Sequence, residues 1–214
     1  MKKNLSELVF LLDRSGSMSG LESDTIGGYN AMLEKQKKEE GEANVTTVLF
    51  DDKIEMLHKR VSLQEIAKIT EKEYFVRGCT ALLDAIGQTI HLMGNVQKYA
   101  KEEDRAGKVL FIITTDGYEN SSKEYTYETI KRMIERQKER YNWEFIFLGA
   151  NIDAIETAKQ FGINEEYATN YVADSQGTEL NYQAMNMAIS GCRSEGKINK
   201  RWKEEVEKDY KERK

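Results

Sequence analysis

The sequence predicts an α/β domain: a doubly wound, mostly parallel open sheet, Rossmann-like, with one antiparallel edge hairpin strand and helices on both faces. Three observations carry this expectation. Short, nearly continuous apolar runs such as ELVFLL, KVLFII and WEFIFLG suit strands buried on both sides. Segments with helical spacing separate these runs, so strand and helix alternate almost throughout. Two β-rich runs in ANVTTVLFDDKIEMLHKRVSL are joined at Asp51-Asp52, where a hairpin turn is wanted.

Taken in order, residues 7–12 form the first strand. The lysines and apolar stretch before it faintly suggest a secretion signal, but Ser6 and Glu7 interrupt it and no small-residue cleavage site follows. A Ser/Gly loop leads to a helix with Leu21, Thr25, Tyr29, Met32 and Leu33 on one face; Gly27-Gly28 weakens it but lets it pack close to the sheet. After the hairpin, SLQEIAKI is expected as a short helix and residues 81–103 as a long one. The strand in KVLFIITTDGYENSS ends in Thr114, Thr115 and Asp116. A charged helix over 122–140 turns Tyr127, Ile130 and Ile134 inward. WEFIFLGAN supplies another strand, Asp153 caps a helix reaching Phe161, EEYATNYVA is a last edge strand, and a helix follows over 176–189.

The chain has 214 residues, enough for one full-sized domain, with 39% hydrophobic and 32% charged residues. No apolar run approaches the roughly 20 residues of a membrane span. A formal charge of −5 argues against nucleic acid as a partner. Cys79 and Cys192 make no disulfide framework, which points to a reducing cytoplasm. Proline is absent, so no proline-rich linker divides the chain, and no internal repeat is evident. The domain is expected over residues 1–192. Residues 193–214, with nine basic and six acidic side chains, are expected as a charged C-terminal tail or helix, solvated rather than packed.

Open α/β sheets bind ligands at the carboxyl ends of their strands, where strand order reverses. Three predicted loops carry oxygen donors there: Asp13, Ser15 and Ser17 in FLLDRSGSMSG; Thr80 in GCTALLDAI; Asp116 in ITTDGYEN. If the first and fourth strands are neighbours, Asp13 and Asp116 meet. Two close carboxylates repel, and a divalent cation between them removes the conflict. Neither His58 nor His91 lies in these loops, so the donors select Mg²⁺, Mn²⁺ or Ca²⁺ over zinc. Neutral hydroxyl ligands leave such a cation electrophilic. Taken singly, the serines and Thr80 also read as helix caps and Asp116-Gly117 as a turn. Asp84 reads as a helix-start or packing residue, Asp51 and Asp52 as turn residues, and Glu119, Asn120 and Ser121 as rim residues. Cys79 lacks a base partner, so it is not read as a nucleophile.

These three motifs, in this order, resemble the von Willebrand factor A domain family and its metal-ion-dependent adhesion site. FLGANIDAIETAKQFGI is similar to the later part of compact bacterial or phage members. The resemblance covers about residues 5–190. It implies Ser15, Ser17 and Thr80 as inner metal ligands, Asp13 and Asp116 as supporting acids, and a partner protein whose Glu or Asp completes the coordination. The expected function is therefore a metal-dependent protein-binding module and not an enzyme. The alternative is a Mg²⁺-dependent phosphoryl-transfer or hydrolytic enzyme. Against it, Arg14 and Ser15 stand where an aspartyl-phosphate mechanism wants a second acid, and no phosphate-loop lysine signature occurs.

Overall fold

In a computed structural model, which describes residues 2–214, the strands and helices follow one another as β1 (Lys2–Asp13), α1 (Glu22–Gln36), β2 (Glu42–Phe50), β3 (Ile54–Ser62), α2 (Leu82–Tyr99) and β4 (Ala106–Thr115). The second half contributes α3 (Tyr127–Tyr141), β5 (Glu144–Gly149), α4 (Ala154–Gln160), β6 (Ala168–Asn170), α5 (Ser175–Glu195) and α6 (Glu204–Arg213). The six strands lie in the order β3-β2-β1-β4-β5-β6, and only β3 runs antiparallel to its neighbour.

Alternation along β1 divides the core. Leu8, Phe10 and Leu12 face one layer, formed with α1, α5 and α6; Val9 and Leu11 face the other, formed with α2, α3 and α4. The central strands are therefore apolar on both sides, as ELVFLL and KVLFII predict. The chain leaves β1 toward β2 on one side and returns from β3 through α2 to β4 on the other. Strand order thus reverses between β1 and β4, which pair from Ser6↔Lys108 to Leu12↔Thr114.

Several elements depart from expectation. Residues 62–69 form no helix: Ser62 ends β3, Leu63, Ile66 and Ile69 are buried, and the backbone of Ile69 is held at both its amide and its carbonyl by the Asn30 side chain (3.0 and 2.9 Å). Helix α3 begins at Tyr127, not 122, because the Asp84 carboxylate accepts the amides of Lys123, Glu124 and Tyr125 at 2.8–3.0 Å and holds this stretch in a bend. Tyr127 is half-exposed and stacks on Phe161 while Ile130 and Ile134 are buried. Gly28 serves helix–helix contact, not helix–sheet contact: a Cβ there would lie 2.3 Å from the Tyr182 ring of α5. Asp153 caps α4 as expected, accepting from the Glu156 amide at 3.0 Å. Residues 193–214 are packed where a solvated segment is expected: Trp202 and Val206 enter the core, Arg193 and Asp209 are buried beside it, and the other charged residues of α6 are exposed or partly exposed. No helix among the described residues is long and apolar enough to cross a membrane.

Candidate metal centre

The pairing of β1 with β4 brings Asp13, at the end of β1, beside Thr115 and Asp116, at and just past the end of β4. Asp13 Oδ1 accepts the Ser15 amide at 2.7 Å, and Oδ2 accepts the Thr115 hydroxyl at 2.5 Å. The first contact turns the chain at once, so the serines hang over the strand end. Ser15 and Ser17 share a hydrogen bond of 2.9 Å between their hydroxyls, and Thr80 Oγ1 donates to Ser15 Oγ at 3.0 Å. All five residues expected at a metal site therefore occupy one place. Ser17 is open to solvent, whereas Asp13, Ser15, Thr80 and Asp116 are buried.

Backbone contacts fix the three loops to one another. The Gly16 amide reaches Gly78 O at 3.1 Å, and the Asn120 and Ser121 amides reach Thr80 O at 3.0 and 3.2 Å. Asn120 Oδ1 returns the contact by accepting the Thr80 amide at 2.9 Å. Glu119 accepts from Leu83 N at the start of α2 and from Ser121 and Ser122 within its own loop. Glu119 and Asn120, expected at the rim, are thus tied into the loop framework. Tyr74 OH donates to the Asp13 carbonyl at 2.5 Å from below.

The acids carry the electrostatic cost. Burial pushes the Asp13 carboxyl up to about 6, against the lowering effect of the Thr115 and Ser15 bonds; the nearby Asp116 charge raises it further. Burial also raises Asp116, and the Ser17 hydroxyl beside it opposes this only in part, without a hydrogen bond of normal geometry. Both Asp116 oxygens are buried with no hydrogen-bond partner among the described residues. Such an orphaned carboxylate calls for a cation or bound water. Arg14 does not supply it: its fully buried side chain turns away, to Asp51 (3.0 Å) and Glu55 (2.7 Å), where Arg77 joins Asp51 at 2.6 Å. Asp51 therefore does more than shape the hairpin turn, and Arg14 pins the first loop to it.

Two further residues belong to this centre. Gly117 sits inside the cradle: a Cβ there would lie 2.9 Å from Ser17 Oγ and 3.5 Å from Thr80 Oγ1. Thr115 orients Asp13. Neither is visible in the sequence, where Thr115 reads as a strand residue and Gly117 as a turn residue. Among the described residues no group of three or more His, Cys, Asp or Glu side chains is placed to hold a metal, so any chelation here relies on hydroxyls. Cys79 is exposed and Cys192 buried, both free. His58 bonds Thr47 Oγ1 at 3.0 Å, away from this edge.

A six-stranded, mostly parallel sheet with its loops gathered at this switch point is an α/β domain of the Rossmann-like open-sheet class. Its fold is that of the von Willebrand factor A domain. A von Willebrand factor type A structure from Catenulispora acidiphila superposes with a TM-score of 0.60 at 14% identity, over 89% of this chain and 43% of that one. The manganese-loaded TRAP protein of Plasmodium vivax gives 0.58 at 20% identity, over 84% and 73%. Proximal thread matrix protein 1 of the mussel byssus, with a zinc-occupied metal-ion-dependent adhesion site, gives 0.55 at 14%, over 82% and 44%. The chain thus spans less than half the length of two of these three. No protein-family model and no curated protein matches the sequence.

Proposed function

We propose that the domain is a metal-dependent protein-binding module, an adhesion or scaffold unit without catalytic activity. The observation that carries the reading is the orphaned Asp116 carboxylate, buried beside three hydroxyls and a second buried acid. Ser15, Ser17 and Thr80 would hold the cation directly, and Asp13 and Asp116 would balance its charge from behind. All donors are hard oxygens, and a hydroxyl-rich set is better suited to Mg²⁺ or Mn²⁺ than to an ion that prefers nitrogen or sulfur. A bound divalent cation supplies an electrophilic position for one more oxygen ligand, and a Glu or Asp of a partner protein is the fitting donor. Solvent access at Ser17 leaves room for that approach. The metals named for the TRAP and byssus structures support the reading by likeness of fold. The two unpaired cysteines favour a cytoplasmic setting.

Titration of Mg²⁺ and Mn²⁺ into the wild type and Asp13→Ala, with thermal melts alongside, tests the proposal. At a hundredfold excess over Kd, binding stabilises the fold by about 2.7 kcal/mol, and Asp13→Ala abolishes the effect. Wild type and variant equally indifferent to millimolar metal would remove the basis for metal-dependent binding. Chelator-insensitive turnover of generic phosphoesters would likewise oppose the non-catalytic reading, and Mg²⁺-dependent turnover lost in Asp13→Ala would favour the enzyme alternative.

A further inference from the structure

At the opposite end of the sheet, a cavity of about 680 Å³ lies between the C-terminal halves of α2 and α3 and the entrance to β4. Its size falls in the range of small-ligand sites, roughly 300–1,000 Å³. Ile90, Gly94 and Lys98 line it from α2 at helical spacing, and Met133, Arg136 and Arg140 from α3. Arg105, just before β4, and Trp143, just before β5, also line it.

The charge is one-sided. Lys98, Arg105, Arg136 and Arg140 all line the cavity, and no aspartate or glutamate does. None of the four enters an ion pair among the described residues; Lys98 rests over the Tyr99 ring at 5.1 Å. Basic residues commonly gather at helix C-termini to offset the dipole, which is worth about half a charge per helix. Two helix ends therefore account for about one of the four positive charges. The excess arises in a chain whose net charge is −5, so it is a local concentration.

Buried donors point the same way. Arg105 Nε and Gln97 Nε2 are buried without a hydrogen-bond partner, although Arg105 Nη2 donates to Ala100 O at 3.2 Å. An unpaired buried donor is costly, and an entering acceptor relieves it. Gly94 adds an independent sign. Glycine is a poorer helix former than alanine, yet nothing crowds this one. A Cβ at Gly94 would meet no atom within 4 Å, so the space beside it is open.

We propose that this cavity binds a small polyanion with a ring-bearing or apolar body. Arg136 and Arg140 hold the charge with Lys98, Arg105 and Gln97 supply the inner donors, and Trp143, Met133 and Ile90 flank the body. Phosphorylated metabolites and aromatic polycarboxylates share this chemistry, and the site is independent of the metal centre.

Calorimetric titration of dialysed, metal-free protein with ADP and with trimesate tests it. Saturable binding of either probe is expected in the wild type and equally in Asp13→Ala. Binding of ADP alone assigns a phosphorylated ligand, and of trimesate alone a polycarboxylate. Arg136→Ala/Arg140→Ala weakens binding by roughly tenfold or more, the loss expected for charge-assisted hydrogen bonds. Gly94→Leu fills the cavity and abolishes binding, while melting no lower than the wild type because leucine is the better helix former. Three results would each overturn the proposal: no saturable binding of either probe at millimolar concentration, undiminished binding in both cavity variants, or loss of binding in Asp13→Ala.

Discussion

At the scale of single residues, the metal centre is a set of short polar side chains whose meaning depends on a neighbour in space. Asp13, Ser15, Ser17, Thr80 and Asp116 were legible because each is an oxygen donor stranded at the end of an apolar run or the start of a helix. Thr115 and Gly117 were not, because their roles exist only once β1 and β4 lie side by side. Gly117→Ala tests the second role. The added methyl would press on Ser17 Oγ at 2.9 Å, in a loop whose glycine needs no positive φ. Mn²⁺ affinity should fall roughly tenfold, while metal-free melting moves little, as for most changes outside the core. Asp116→Asn tests the cost of the orphaned acid. A buried neutral amide is cheaper than an unpaired carboxylate. Without metal the variant should be stabilised by about 1 kcal/mol, or a rise of some 2–4 °C in Tm for a domain of this size. With saturating Mg²⁺ the order should reverse; differential scanning calorimetry with and without metal reads both signs.

At the scale of elements, local pattern was a good guide wherever a helix or strand buried one continuous stripe, and failed where side chains from elsewhere took over the backbone. Residues 62–69 carry an apolar spacing close to helical, yet Asn30 occupies both hydrogen-bonding groups of Ile69 and holds the segment against α1. The start of α3 moved for the same reason, since Asp84 accepts three amides ahead of it. No window of sequence contains both partners of either contact, which lie 39 to 41 positions apart. Asp84→Ala would leave those three amides without their acceptor. The loss is about 3 kcal/mol, since hydrogen bonds to a charged group exceed the neutral average. That corresponds to a fall of roughly 10 °C in Tm, and hydrogen exchange should accelerate first at residues 123–125.

At the scale of the whole molecule, alternation of strands and helices predicted an open parallel sheet but left the adjacency of the first and fourth strands as a condition; the pairing of β1 with β4 meets it and sets the switch point. The packing of residues 193–214 was not legible, since a charged helix reads as solvated until its few apolar residues find a groove. Trp202 is buried and donates to Glu166 O at 3.0 Å, and Lys203 donates to Ala168 O at 2.8 Å beside the short edge strand β6. The far end of α6 is tied down differently. Arg213 pairs with Asp209 on α6 and with Asp174, which also caps α5 through the Gly177 amide at 2.8 Å. The Arg213 hydrogen bond, aided by that amide, holds the Asp174 carboxyl below its ordinary value of 3.8. A carboxyl whose folded pKa is depressed binds more protons unfolded than folded, so its contribution is complete above the ordinary value and is lost as pH falls through the lower one. Asp174→Asn keeps a capping side chain but removes the charge. The stability gap between wild type and Asp174→Asn should therefore be full at neutral pH and shrink toward about pH 3. Because the carboxylate is partly exposed and the pair is a surface one, the gap should also narrow at high salt. Fluorescence of the two buried tryptophans, Trp143 and Trp202, followed through urea unfolding at several pH values, reads this directly. A gap that stays constant across that range would mean that Asp174 acts only as a helix cap and that its pair with Arg213 does not help to hold α6.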